Sequence, residues 1–288
     1  MSNRDWSLVC FTTLAQWSIG IVLWFTLNTF LSVNPATGFE TGLDLKNPVL
    51  LSLFLIGGAT LVSFLHLGKP ANALKALSNL SGSWLSREIL AIGVFSVSLA
   101  IVLLTGWNNG ESGYQDYLLV ISSCCGLVLL WMMIRIYIMP TIPAWNSWYT
   151  PLNFISTTLN LGLVTVLVFH AAGWVKIDSQ VFNWFMVFLM LILFVETISG
   201  ILHQYRLQRL KTGIDALVFD RGSFYGVFIF RLMLLLIAFL AVFNVILNSS
   251  VVSGYQYHLW LYPILALIII QELAGRLLFY SSYFRVGV

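Results

Sequence analysis

Charge is the scarce ingredient of this sequence. Of 288 residues only 14 are Lys or Arg and 11 are Asp or Glu, 9% in all. A soluble domain carries roughly 25% charge to solvate its surface, so this composition excludes one. Cysteine is equally scarce: the three present are Cys10, Cys124 and Cys125, all inside apolar runs. They are too few and wrongly spaced for an iron–sulfur cluster or a structural zinc, which take about four ligands at loop spacings such as C-x2-C. The adjacent Cys124 and Cys125 point about 100° apart on a helix, as packing residues do. A net charge of +3, small and dispersed, excludes nucleic acid as a partner. A cleavable leader is not expected either. The apolar stretch from Trp6 to Val33 is far longer than a signal peptide's ~7–15-residue core and lacks a clear small-x-small cleavage site.

Apolar residues, by contrast, make up 59% of the chain, about 170 side chains. A bilayer core of about 30 Å is crossed by ~20 apolar residues at ~1.5 Å rise each, so this supply suffices for about eight helices. The runs are continuous instead of alternating over ~10 residues, which excludes barrel strands. Read against Gly, Pro, Asn and charge, the runs fall at 7–33, 47–67, 86–106, 116–138, 151–173, 180–203, 223–247 and 259–281. The expected fold is an all-α integral membrane protein: a single membrane domain over 1–288 with eight transmembrane helices, arranged as two four-helix units.

An even number of spans puts both termini on one side, with loops 68–85, 139–150 and 204–222. That side holds Arg4, Lys69, Lys75, Arg87, Arg135, Arg206, Arg209, Lys211, Arg221 and Arg285, against Lys46 and Lys176 on the other. Ten basic residues against two predict that both termini are cytoplasmic.

Ionisable residues at membrane depth cost ~2.5–3.5 kcal/mol each on insertion scales and by default mark a site or a polar path. Here they gather in one half of the bilayer: His66, Arg87, Glu88, Arg135, Glu196, His203, Arg231, Glu272 and Arg276 on the inner side, with His170 and His258 on the outer. Glu272 and Arg276, at i and i+4, are spaced to neutralise each other on one helix face. Arg231 is placed either to hold a helix contact or to pair with Glu196. Glu196 and His203, seven apart, share a face, as a proton path or a structural seam. His66 and Glu88 have no neighbour in sequence that must satisfy them, apart from Arg87, which points about 100° away on a helix.

The segment Ser63-Phe-Leu-His66-Leu-Gly68-Lys-Pro70, the stretch Leu85-Ser-Arg-Glu88-Ile, and Trp131-Met-Met-Ile-Arg135-Ile-Tyr137 followed by Thr141-Ile-Pro143-Ala-Trp145-Asn146 and Thr150-Pro151 resemble the membrane anchor subunit of dimethyl sulfoxide reductase (DmsC). The stretch Gln271-Glu272-Leu-Ala-Gly275-Arg276-Leu-Leu-Phe-Tyr280 is similar to the end of that family. The resemblance implies an anchor that holds an iron–sulfur electron-transfer subunit and a molybdopterin catalytic subunit at the membrane and exchanges electrons with quinone, either menaquinone or ubiquinone. It implies no haem in this chain, with iron–sulfur clusters and molybdopterin only in partner subunits. The family's quinol-site histidine and glutamate correspond to His66 and Glu88. Similar anchors serve sulfite:quinone oxidoreductases and, more distantly, polysulfide reductases.

The residue chemistry agrees with that implication. Quinone chemistry moves two electrons and two protons, so a site takes a hydrogen-bond partner at each ring oxygen and a group titrating near neutrality. His66 suits the second requirement, and Glu88, desolvated at a helix end, is placed to relay the second proton. Arg87, Tyr137, Trp145 and Asn146, with Trp84, are candidates for walls or hydrogen bonds, although an aromatic at the interface also serves as a membrane-belt residue. Loops 68–85 and 204–222 offer basic surfaces for the partner subunit or for phospholipid. Because the basic face is the His66 and Glu88 face, the catalytic subunits are expected in the cytoplasm, an arrangement that resembles the sulfite-oxidising branch.

Two rival readings use the same residues. A di-haem cytochrome b would pair His66 with His203 and His170 with His258. A transporter would use Glu196, Arg231 and Glu272 as a path, but broken helices and repeated halves, which favour that class, are not evident.

Overall fold

The computed structural model describes residues 3–31, 46–64, 77–108, 114–211, 221–249 and 259–283. The described residues form eight long helices: α1 (Asn3–Leu31), α2 (Lys46–Phe64), α3 (Trp84–Asn108), α4 (Tyr114–Tyr137), α5 (Tyr149–Ala171), α6 (Ser179–Lys211), α7 (Arg221–Ser249) and α8 (Leu261–Ser281). A single 3-10 turn, Leu77–Asn79, precedes α3. All eight helices are long and apolar enough to cross a membrane. With helices the backbone satisfies its own hydrogen bonds, the condition hydrocarbon imposes. Pro48, Pro151 and Pro263 each sit in the first turn of a helix, where a missing N–H costs nothing.

α1 and α5 form the centre. Buried residues make up 72% and 83% of their spanning windows, against 22% in α3. α1 packs on α2, α4, α5 and α8, and α5 on α1, α4, α6 and α8. The crossing of α1 and α5 is a backbone contact: a Cβ on Gly162 would fall 2.1 Å from the carbonyl carbon of Gly20, and one on Gly20 would fall 1.9 Å from the Thr158 oxygen. Only glycine fits such an approach, a common device where lipid gives helices no hydrophobic reason to associate. Trp17 donates to Thr165 Oγ1 at 2.7 Å and Trp24 to the Leu159 carbonyl at 3.0 Å, on either side of the crossing.

The helices alternate in direction. Thr12 meets Tyr280 while Gln16 meets Arg276, so α1 and α8 are antiparallel; Glu196 meets Asn160 while His203 stacks on Tyr149, so α5 and α6 are too. One end of the bundle, here the near end, therefore gathers the starts of α1, α3, α5 and α7 with the finishes of α2, α4, α6 and α8. Most boundaries agree with the hydropathy reading to within a few residues. α6 is the exception, running to Lys211 instead of ending near 203.

Candidate functional site

The near end holds Glu88. Helix α3 starts after Ser83, whose hydroxyl accepts from the Ser86 N–H at 3.3 Å, a cap typical of serine. That start places Glu88 one turn into the helix with its side chain turned into the bundle, 4% exposed. Arg87 faces the other way. Its Nε donates to the Leu80 carbonyl and its Nη2 to the Ser81 carbonyl, both at 2.7 Å, while the guanidinium lies 4.2 Å from the Trp84 ring. Arg135 approaches the same ring at 4.7 Å. Arg87 thus fastens the turn before α3, and among the described residues no hydrogen bond reaches the Glu88 carboxylate. His66, the partner expected for Glu88, lies outside the described residues, as does His258.

Opposite Glu88 is an aromatic cluster assembled from three elements. Tyr137 ends α4, Trp145 sits in the two-proline connection to α5, and Phe279 and Tyr280 close α8. Trp145 stacks on Phe279 at 5.5 Å and 12° and donates its Nε1–H to the Phe279 carbonyl at 2.9 Å. Tyr137 meets Trp145, Phe154, Phe279 and Tyr280 with ring centroids 5.4–5.6 Å apart. The Tyr280 hydroxyl donates to the Tyr137 hydroxyl at 2.7 Å. Both phenols are buried and within electrostatic reach of Glu88. Asn146 is different: it is exposed, and what it offers is its backbone carbonyl, which accepts from Arg206 at 3.4 Å. Tyr280 did not stand out in the sequence, because a tyrosine at a helix end reads as a belt residue; its spacing of four from Arg276 was the available signal.

Deeper in, four charges sit together. Glu196, Arg231, Glu272 and Arg276 are each no more than 2% exposed. Arg231 forms an ion pair with Glu196 and also donates to Tyr149 at 3.1 Å and Gln271 at 3.4 Å. Asn160 donates to Glu196 at 2.6 Å and to Glu272 at 3.3 Å. Thr157 donates to Glu272 at 2.8 Å and accepts from Arg276 at 3.2 Å. Arg276 also donates to Gln16 and lies 3.9 Å over the Phe154 ring. Glu272 and Arg276 are on one face, as their spacing predicted, yet they meet through Thr157 instead of directly, because α5 and α1 present better partners to each.

His203 stacks face to face on Tyr149 at 4.0 Å and 9°. It lines a cleft of about 290 Å³, open mouth included, together with Gln204, Phe228, Arg231 and Phe279. His170 is held at the opposite end by Val175 and Ile177, at 3.0 and 3.2 Å. The two described histidines therefore occupy different ends of the bundle. Among the described residues no three His, Cys, Asp or Glu side chains gather as a metal-ligand set.

As chemistry, the deep cluster and the near-end site differ. The cluster's formal charges cancel, two against two, and both of its carboxyls are met by guanidinium, amide or hydroxyl donors. It ties α1, α5, α6, α7 and α8 together. The near-end site holds a carboxyl that no donor among the described residues reaches and a pair of linked phenols, beside flat aromatic walls.

The sequence matches the family described as DMSO reductase anchor subunit (DmsC) over residues 1–282. This chain belongs to the DmsC anchor family. The C component of the anaerobic dimethyl sulfoxide reductase of Escherichia coli (strain K12) is 26% identical over 296 residues, covering 99% of this chain and 97% of that protein. The YnfH component of an anaerobic dimethyl sulfoxide reductase of the same organism is 27% identical over 184 residues, 62% of each protein. The C component of the sulfite dehydrogenase of Allochromatium vinosum is 27% identical over 176 residues, 56% of this chain and 52% of that protein. This DmsC-family anchor is thus a multi-pass membrane protein with relatives in both a reductase and a dehydrogenase.

Proposed function

We propose that this chain is the quinone-reactive membrane anchor of a molybdopterin oxidoreductase, holding an iron–sulfur subunit and a catalytic subunit at the membrane and passing electrons between them and menaquinone or ubiquinone. The observation that carries the reading is Glu88, a buried carboxyl without a donor among the described residues, opposite the Tyr137–Tyr280 phenol pair. In this reading a planar ring with an oxygen at each end takes its hydrogen bonds from such groups and its flat contacts from Tyr137 and Trp145. A bound quinone supplies the two-electron, two-proton couple. Glu88 holds and passes a proton at its carboxyl, His66 serves the other ring oxygen, and Arg87 keeps the start of α3 in place. Asn146, exposed beside Arg206, belongs to the docking surface and not to the ring pocket.

The basic near end faces the cytoplasm in this reading, so both termini and the partner subunits lie there, and the substrate is a sulfur compound, oxidised as sulfite or reduced as sulfoxide. The relatives named for both chemistries support a sulfur substrate; the ratio of ten basic residues to two supports the orientation. The helices pair as α1–α4 and α5–α8, two four-helix units joined across the α1–α5 crossing. His66→Arg or Glu88→Gln abolishes quinone-linked turnover of the assembled complex while turnover with an artificial donor at the catalytic subunit survives. Unchanged quinone-linked rates in both variants would refute the site.

A further inference from the structure

A site that serves both redox forms of a quinone faces a polarity problem. The quinone oxygens only accept hydrogen bonds, whereas the quinol hydroxyls also donate. A partner that is fixed as donor favours one form and penalises the other by leaving a buried polar group unpaired. The near end contains a chain of three hydroxyls in which the bond between the two phenols is reversible, since a phenol hydroxyl both donates and accepts.

Thr12, Tyr280 and Tyr137 form that chain. As it stands, Tyr280 donates to Tyr137 at 2.7 Å, so the Tyr137 oxygen is an acceptor on that side and its own O–H is free to point toward the Glu88 side. Tyr280 has a second acceptor available, the Thr12 hydroxyl at 3.4 Å. Thr12 commits its proton to its own helix, donating to the Leu8 carbonyl at 2.9 Å, so toward Tyr280 it acts only as an acceptor. Two arrangements are therefore closed. In one, Tyr280 donates to Tyr137, and Tyr137 donates outward. In the other, Tyr137 donates to Tyr280, Tyr280 donates to Thr12, and the Tyr137 oxygen turns a lone pair outward.

We propose that Thr12 and Tyr280 are positioning residues that let Tyr137 act as donor to a bound quinone and as acceptor from a bound quinol, without any change of charge. This rests on the near-end quinone site proposed above. It assigns different duties to the two redox forms. The quinone-bound state uses only the Tyr280-to-Tyr137 bond. The quinol-bound state also uses the Tyr280-to-Thr12 bond, because only then does every buried proton have an acceptor.

The test is equilibrium binding of decylubiquinone and of decylubiquinol, or menadione and menadiol for a menaquinone-linked complex, to the purified complex in detergent. Thr12→Val removes the terminal acceptor and keeps the shape. It is expected to weaken quinol binding about tenfold, the scale of one buried donor left unpaired, and to leave quinone binding within about twofold. Tyr280→Phe, which removes the bond to Tyr137 that both states use as well as the one to Thr12, weakens both forms and the quinol more, Tyr137→Phe weakens both forms, and Thr12→Ser restores the wild-type ratio. Equal weakening of both forms by Thr12→Val and Thr12→Ser means a packing role and overturns the proposal, as does no change in either form with Thr12→Val. Failure of the quinone site itself reads out separately, as intact binding of both forms in Glu88→Gln and Tyr137→Phe.

Discussion

Gly275→Ala and Gly200→Ala are the same chemical change next to the same arginine, and the structure predicts opposite signs. A Cβ on Gly275 falls 2.7 Å from Cζ, 2.8 Å from Nε and 2.9 Å from Nη2 of Arg231. Carbon atoms in contact sit about 3.5–4.0 Å apart, so the guanidinium must withdraw by nearly 1 Å. The end of an arginine usually yields cheaply. This one is held by Glu196, Tyr149 and Gln271 in a buried site. On Gly200 the new Cβ lies 3.7 Å from Arg231 Nη1, an ordinary contact.

Both glycines lie inside helices, where alanine gains about 1 kcal/mol in propensity. At Gly200 that gain stands alone. At Gly275 it is set against a displaced ion pair, whose complete loss from a buried site costs about 3–5 kcal/mol, and partial loss about half of that. The propensity gain is common to both, so the difference between the two variants is the partial loss alone, about 1.5–2.5 kcal/mol, roughly 5 °C in melting temperature for a chain of this length. Thermal unfolding of the purified complex in detergent measures it. Two alanine variants that melt together would refute the reasoning, because they would show that Arg231 is not anchored where its hydrogen bonds place it.

The same anchoring predicts that Arg231→Met alone costs about 3–5 kcal/mol by stranding the Glu196 carboxylate, and that adding Glu196→Leu recovers most of it; the amount of folded protein in membranes and its melting temperature read this, and a double variant no better than the single would contradict it. In the Arg231→Met background Gly275→Ala should lose its penalty, since the clashing group is gone. A fluorescent or alkaline phosphatase reporter fused after Val288 tests the orientation: green fluorescence with no phosphatase activity is expected, and phosphatase activity would place the near end outside the cytoplasm.

The spans were legible because a bilayer asks for continuous apolar length, and that requirement is written along the chain one residue at a time. The finish of α6 was less legible for the complementary reason. Residues 204–211, Gln-Tyr-Arg-Leu-Gln-Arg-Leu-Lys, are too polar for hydrocarbon but contain good helix formers, so the apolar run stops before the helix does. That extra length brings Arg206 to the Asn146 carbonyl. Partners across helices were the least legible. The i, i+4 spacing of Glu272 and Arg276 placed them on one face, but whether they turn to each other depends on what α1 and α5 present, and Gln16, Thr157 and Asn160 are ordinary polar residues until packing aligns them. Tyr280 went unselected as a site residue for the same reason, since nothing in a tyrosine at a helix end announces another hydroxyl 2.7 Å away.

Four buried charges that cancel are an expensive way to hold helices, and their placement shows what the expense secures. Arg276 reaches Gln16, and Tyr280, one turn later on α8, reaches Thr12, one turn earlier on α1. These are two rungs of one antiparallel ladder. In lipid, apolar packing tolerates sliding along a helix axis better than a charge tolerates losing its partner, so the Arg276 rung sets the register of α8 against α1, and Glu272 sets it against α5. A slip of one turn would carry Tyr280 about 5.4 Å along the axis, twice the length of its bond to Tyr137. The charged cluster and the near-end hydroxyls are then two parts of one arrangement: paired charges deep in the bundle fix the position of the hydroxyls at its near end.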